Sequence, residues 1–137
     1  MNKVYDELLK LTKKCNKFDD VPVSAIVVKN GKIISKAFNK REKDYKTINH
    51  AEIIAITKAN RKLRKCFLYD CDLYVTLKPC EMCQKVINNA RIRNVFYLID
   101  KDSNKKEYDK TNYKHVFNKY SENYLNILQD FFNKLRK

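Results

Sequence analysis

Two short motifs about thirty residues apart, His50-Ala51-Glu52 and Pro79-Cys80-Glu81-Met82-Cys83, constrain this chain more than any other feature. One imidazole and two thiolates are ligands that zinc prefers, so the fold must bring these two segments together in space. A three-ligand set leaves the fourth tetrahedral position open to water, the mark of catalytic rather than structural zinc. Glu52, two residues beyond His50, can act on such a water without binding the metal. Zinc lowers the pKa of its water towards neutrality, and a nearby carboxylate can then shuttle the proton. His50, Cys80 and Cys83 are therefore the expected ligands of one zinc per chain, and Glu52 is the expected catalytic residue.

Other readings of these residues are weaker. A lone C-x-x-C can be a redox pair, half of a zinc finger or two buried thiols. A redox pair, however, needs neither the leading Pro79 nor a distant His-x-Glu. No second C-x-x-C and no H-x₃₋₅-H completes a four-ligand structural site. Cys15, Cys66 and Cys71 lack ligand spacing and are expected as small core residues.

Hydrophobic periodicity places the motifs on elements. Val4, Leu8, Leu11 and Cys15 recur at helical spacing and predict an amphipathic first helix. Residues 23–29 (VSAIVVK) and 32–38 (KIISKAF) are β-branched-rich runs around Asn30-Gly31, the strongest short hairpin signal. A polar stretch, 39–48, leads to His50, and AEIIAITKANRKLRK then reads as a helix. DLYVTL (72–77) predicts a third strand, and Pro79 opens a helix reaching about Arg91. NVFYLI (94–99) predicts a fourth strand, residues 100–112 a solvated loop, and 121–135 a final helix. Strands alternating with helices imply an α/β fold, a central sheet covered by helices. Both motifs then sit at helix N-termini, where the helix dipole favours thiolates.

A length of 137 residues suits one domain spanning the whole chain, 1–137. No apolar run approaches a membrane span, and the charged N-terminus is unlike a signal peptide, so a membrane is not an expected partner. An odd cysteine count, with two needed as thiolates, fits a reducing cytoplasm. Thirty Lys and Arg against sixteen Asp and Glu give a net charge of +14, which favours a polyanionic partner. The abundance of Lys, Asn, Ile and Tyr, with a single Gly, also fits AT-rich coding, which raises lysine everywhere. Charge alone does not separate RNA from DNA.

The spacing H-x-E…P-C-x-x-C is the signature of zinc-dependent nucleobase deaminases. In order and spacing, VPVSAIVVKNGKII, FNKRE, HAEIIAI, DLYVTLKPCEMC and ARIRNVFY resemble the bacterial tRNA-specific adenosine deaminases of the cytidine deaminase superfamily. The resemblance runs from about Val21 to Tyr97, with an echo in the C-terminal LQDFFNKLRK. It implies a three-layer cytidine-deaminase-like fold with a central mixed sheet. It also implies hydrolytic conversion of adenosine to inosine at the tRNA wobble position, with the anticodon stem-loop as substrate and a homodimer as the working form. Asn39 matches the family Asn that contacts the target nucleoside, and Phe131 or Phe132 matches an aromatic near the flipped-out base. Lys134, Arg136 and Lys137 form a basic tail suited to RNA.

The sequence also departs from the family pattern. Lys78 stands where the family has Glu, Ser24 where it has Gly, and Asn49 where it has a small Ala. The Gly/Ser-rich segment that follows Tyr97 in the family is missing. These departures bear on substrate more than on reaction, and keep open a deaminase of a free base, nucleoside or nucleotide such as guanine, cytosine, cytidine or dCMP. A catalytically silent RNA-binding subunit is disfavoured, because Glu52 is retained.

Overall fold

The computed structural model describes residues 2–101 and 110–135; Arg136, Lys137 and residues 102–109 of the expected loop lie outside the described residues. In chain order the elements are α1 (Asn2–Thr12), a 3-10 helix (Lys13–Phe18), β1 (Ser24–Lys29), β2 (Lys32–Phe38), the one-turn α2 (Arg41–Asp44) and α3 (Ala51–Leu63). There follow β3 (Cys71–Leu77), α4 (Glu81–Asn89), β4 (Asn94–Ile99), β5 (Asn112–His115) and α5 (Lys119–Leu135).

Asn30 and Gly31 both take positive φ, 51° and 74°, the backbone of a type I′ turn, so β1 and β2 close as an antiparallel hairpin. The sheet order is β2-β1-β3-β4-β5, with β1 antiparallel to β3 and the β3–β4 and β4–β5 pairs parallel. The sheet is mixed, as expected. Its central strands are apolar on both faces because both faces are covered. Ala25, Val27, Leu73, Val75 and Val95 meet Ala51, Ala55, Ile56 and Ala59 of α3 and Ile87 of α4. Ile26, Val28, Tyr74 and Leu98 point the other way, to Leu8 and Leu11 of α1 and Tyr120 and Tyr124 of α5. Alternation along each strand therefore sorts two cores, and three layers follow. This is the cytidine-deaminase-like α/β architecture.

Several boundaries differ from expectation, each for a local reason. The helix after His50 stops at Leu63 because Arg64 turns left-handed (φ 54°), while the Asn60 side chain donates to the carbonyls of Lys65 and Cys66. This turn leaves Cys66 exposed, whereas Cys15 and Cys71 are buried as expected. Asn112–His115, within and beyond the segment read as loop, is a fifth strand paired to the open edge of β4. The last helix begins two residues early because Asn118 Oδ1 accepts the Tyr120 and Ser121 amides. Among the described residues no helix is long and apolar enough to cross a membrane.

Candidate active site

The crossover from β3 to β4 runs through α4, and α3 precedes β3, so both helices start at the same end of the sheet. His50 and Cys80 occupy the N-cap positions of α3 and α4, both with extended backbone (ψ 147° and 171°). Cys83 lies in the first turn of α4 and is buried. Their donor atoms come within 4.8 Å of one another, with Cys80 Sγ 4.0 Å from His50 Nδ1. These neighbours set the charge states. A hydrogen bond from Cys83, with His50 second, pulls the Cys80 thiol down to about 3. Cys83 is pushed up by the same contact and by burial. The Cys80 contact in turn raises His50.

Glu52 is only 4% exposed, in the first turn of α3. Burial pushes its carboxyl up to about 7, and Oε1 has no hydrogen-bond partner among the described residues. An unpartnered buried carboxylate oxygen is costly unless something else occupies the space before it. One nitrogen and two sulfur donors, together with that orphan oxygen, fit a borderline-soft cation carrying an exchangeable ligand, with zinc first among the choices.

His50, Cys80 and Glu52 floor a cavity of about 160 Å³ whose wall includes Val21, Val23, Asn39, Arg41, Leu77, Lys78 and Lys101, while Cys83 is buried outside its lining. Asn39 directly follows β2 and is buried; its Oδ1 accepts the Ala51 amide at 2.8 Å and its Nδ2 donates to Val21 O at 3.1 Å. It therefore caps α3 from a distance while lining the cavity. Beyond those bonds its amide keeps one N–H and one acceptor lone pair. Lys78 is 6% exposed, with its ammonium 5.6 Å from the Tyr97 ring centroid. Its backbone N–H donates to Ile99 O, tying the ends of β3 and β4 together beneath Lys101. In open α/β sheets, ligands enter at these carboxyl strand ends.

Sequence reasoning missed Arg41 and Lys101 as wall residues. Arg41 lies two residues past Asn39 in FNKRE, and a polar run gives no sign of which side chain turns inward. Its Nε donates to Thr47 O at 3.0 Å, which holds the guanidinium at the mouth. Ser24 and Asn49 have structural work. Ser24 Oγ donates to Leu8 O at 2.6 Å, joining β1 to α1, and Asn49 Nδ2 donates to Asp44 at 2.9 Å, joining the His50 approach to α2. Phe131 and Phe132 lie side by side on α5, centroids 5.3 Å apart. Phe131 is buried and Phe132 is 42% exposed, and neither lines the cavity in this chain.

A three-layer sheet with a His-Cys-Cys triad at paired helix N-termini and a carboxylate beside it defines the deaminase class of this architecture. The chain belongs to the MafB19-like deaminase family, whose model matches residues 1–136. A tRNA-specific adenosine deaminase of Rickettsia bellii is 46% identical over 81 residues, 58% of this chain and 56% of that protein. The chain thus spans little more than half the length of that curated relative. A chain from structural studies of A-to-I editing by tRNA:A34 deaminases superposes with a TM-score of 0.72 at 28% identity, covering 82% of this chain and 92% of that one. Guanine deaminase from Bacillus subtilis superposes at 0.69 and 26% identity, covering 96% and 93%.

Proposed function

We propose that this protein is a zinc-dependent tRNA adenosine deaminase that converts adenosine to inosine at the wobble position. The carrying observation is the orphan Glu52 Oε1, buried beside the His50–Cys80–Cys83 triad on the floor of the cavity. His50, Cys80 and Cys83 hold one zinc per chain. Bound there, zinc supplies Lewis acidity that brings the pKa of water towards neutrality.

Glu52 carries the protons. Hydrolysis adds water at C6 of adenine and releases the exocyclic amine as ammonia. Glu52 accepts a proton from the water, gives it to the ring nitrogen N1, and passes the second to the departing amine. Burial raises the Glu52 carboxyl from the ordinary carboxylate range, the direction that suits a group which must both accept and return a proton. The remaining N–H and lone pair of Asn39 orient the nucleoside against this carboxylate, and Val21, Val23 and Leu77 exclude bulk water. A base cannot reach this floor while stacked, so the target comes from a single-stranded loop, where extrusion costs a few kcal/mol. Arg41, Lys78 and Lys101 give the wall positive charge suited to an RNA backbone. The working form is a cytoplasmic homodimer that holds the anticodon stem-loop, with Phe131 or Phe132 approaching the extruded base. The naming of the R. bellii relative and the A34-deaminase likeness support this substrate. The guanine deaminase likeness favours a free base as the second reading.

The test is product analysis. Purified protein is incubated with an arginine tRNA stem-loop bearing a wobble adenosine and, separately, with guanine, cytosine, cytidine and dCMP. Inosine in the stem-loop is the expected product; turnover of a small molecule with an untouched stem-loop contradicts the proposal.

A further inference from the structure

A second concave surface lies beside the cavity, on the other side of the segment 38–43. It is a groove of about 520 Å³ lined by Lys13, Lys14, Lys17 and Phe18 of the 3-10 helix, Phe38 at the end of β2, and Lys43 of α2. Its rings are held under ammonium groups. Lys14 and Lys40 Nζ lie 5.9 and 4.9 Å from the Phe38 centroid, and Lys43 Nζ lies 5.8 Å from that of Phe18. Phe18 remains 43% exposed, and Lys13, Lys14, Lys17 and Lys43 are all exposed. Asp20 is buried and builds the groove: its carboxylate accepts the Glu42 amide at 2.9 Å and the Lys43 amide at 3.3 Å, fixing α2 against the end of the 3-10 helix.

One short segment serves both surfaces. Phe38 and Lys43 face the groove, while Asn39 and Arg41 line the cavity. A strand leaving the cavity past Arg41 therefore meets the groove next. Its lining, two aromatic faces among four exposed lysines, has the chemistry of sequence-tolerant single-strand binding, where bases stack and phosphates pair with lysine, although Asp44 lies 3.9 Å from the Lys43 ammonium.

We propose that this groove binds the single-stranded polynucleotide flanking the target nucleotide, stacking a base on Phe18 and placing its phosphates on Lys13, Lys17 and Lys43. The inference deepens the proposed function and rests on it for the identity of the strand.

The test measures binding of a fluorescein-labelled anticodon stem-loop by anisotropy, across a salt series, to the full chain. A Lys13→Glu/Lys17→Glu double variant, altered only at exposed positions, is expected to bind at least tenfold more weakly. Its log Kd–log[salt] slope should fall by roughly 0.7–0.9 for each phosphate no longer neutralised. Phe18→Ala should weaken binding about fivefold to a hundredfold, the range for one stacked base. A second measurement needs no variant: stem-loop carrying 4-thiouridine beside the target, irradiated on the wild-type protein, should crosslink within 13–18 or to Phe38 or Lys43, the groove residues of the segment shared with the cavity. Binding within twofold of wild type at an unchanged slope overturns the proposal, as do crosslinks found wholly elsewhere. Sedimentation that shows the lysine changes dissolving a dimer while RNA affinity holds also overturns it, assigning the groove to a second copy of the chain. Binding is scored apart from chemistry. RNA held through these lysines but not deaminated retains the groove and removes the adenosine reading; deamination with binding indifferent to them does the reverse.

Discussion

The floor of the cavity and its wall are built on different principles. His50, Glu52 and Cys80 line the floor, Cys83 is buried in the same cluster, and each is positioned by the start of a helix: His50 and Glu52 by α3, Cys80 and Cys83 by α4. The charged wall draws Arg41, Lys78 and Lys101 from three separate stretches, brought together only where β3 and β4 end beside the approach to α3. Reaction chemistry needs fixed atoms at short range, and helix N-termini fix them. Substrate choice needs charge and shape around a volume, and any exposed loop can supply these. The floor should therefore fail sharply when altered, and the wall by degrees.

The sharpest break is Glu52→Gln. The amide keeps the shape of the carboxyl but neither accepts nor returns a proton as the carboxyl does. Turnover of the stem-loop should fall roughly 10²–10⁴-fold, the usual worth of general acid–base assistance. Rapid-quench kinetics would measure it, and a rate near that of wild type would mean that the floor works by some other group.

Next in size is the wall. Lys78→Met keeps an unbranched side chain of similar length and removes the charge that lies over the Tyr97 ring. Its KM for the stem-loop should rise about tenfold or more, the value of one charge-assisted hydrogen bond, with kcat much less affected. Steady-state kinetics on stem-loop and on free adenosine separate the two parameters. A kcat loss as large as that of Glu52→Gln would erase the distinction between floor and wall.

The smallest expected effect concerns the support behind the wall. Asp20→Ala removes the carboxylate that accepts two α2 amides, and should lower stability by about 1–2 kcal/mol, as loss of a helix cap does. Denaturant melts would detect it, and an unchanged midpoint would show that α2 is held by other contacts.

The same contrast explains what can be read in the sequence. The hairpin is legible because Asn30-Gly31 leaves few conformations open, and the His-Cys-Cys cluster because His-x-Glu and Pro-Cys-x-x-Cys are local. A helix-covered sheet follows from strands alternating with helices. β5 is not legible: the run Asn112–His115 is polar at alternate positions and becomes a strand through the free edge of β4. Arg41 and Lys101 are illegible for a related reason, since a polar residue in a loop carries no periodicity to show which way it faces. Asn39 reads as a substrate contact, but its bond to the Ala51 amide is hidden, because helix capping from twelve residues away has no local pattern. Lys78 and Asn49 stand out as departures, yet only the packing gives Asn49 a partner and Lys78 a wall.

The division of labour at the floor is tested most directly by metal occupancy. Wild type, Glu52→Gln and Cys83→Ala would be purified in parallel without added metal, and each weighed by native mass spectrometry for zinc per chain. One zinc in wild type and in Glu52→Gln, with little or none in Cys83→Ala, is the predicted result, since only the cysteine is a ligand. Full zinc in Cys83→Ala, or its loss from Glu52→Gln, would contradict the assignment of ligands and proton carrier on which the proposed reaction rests.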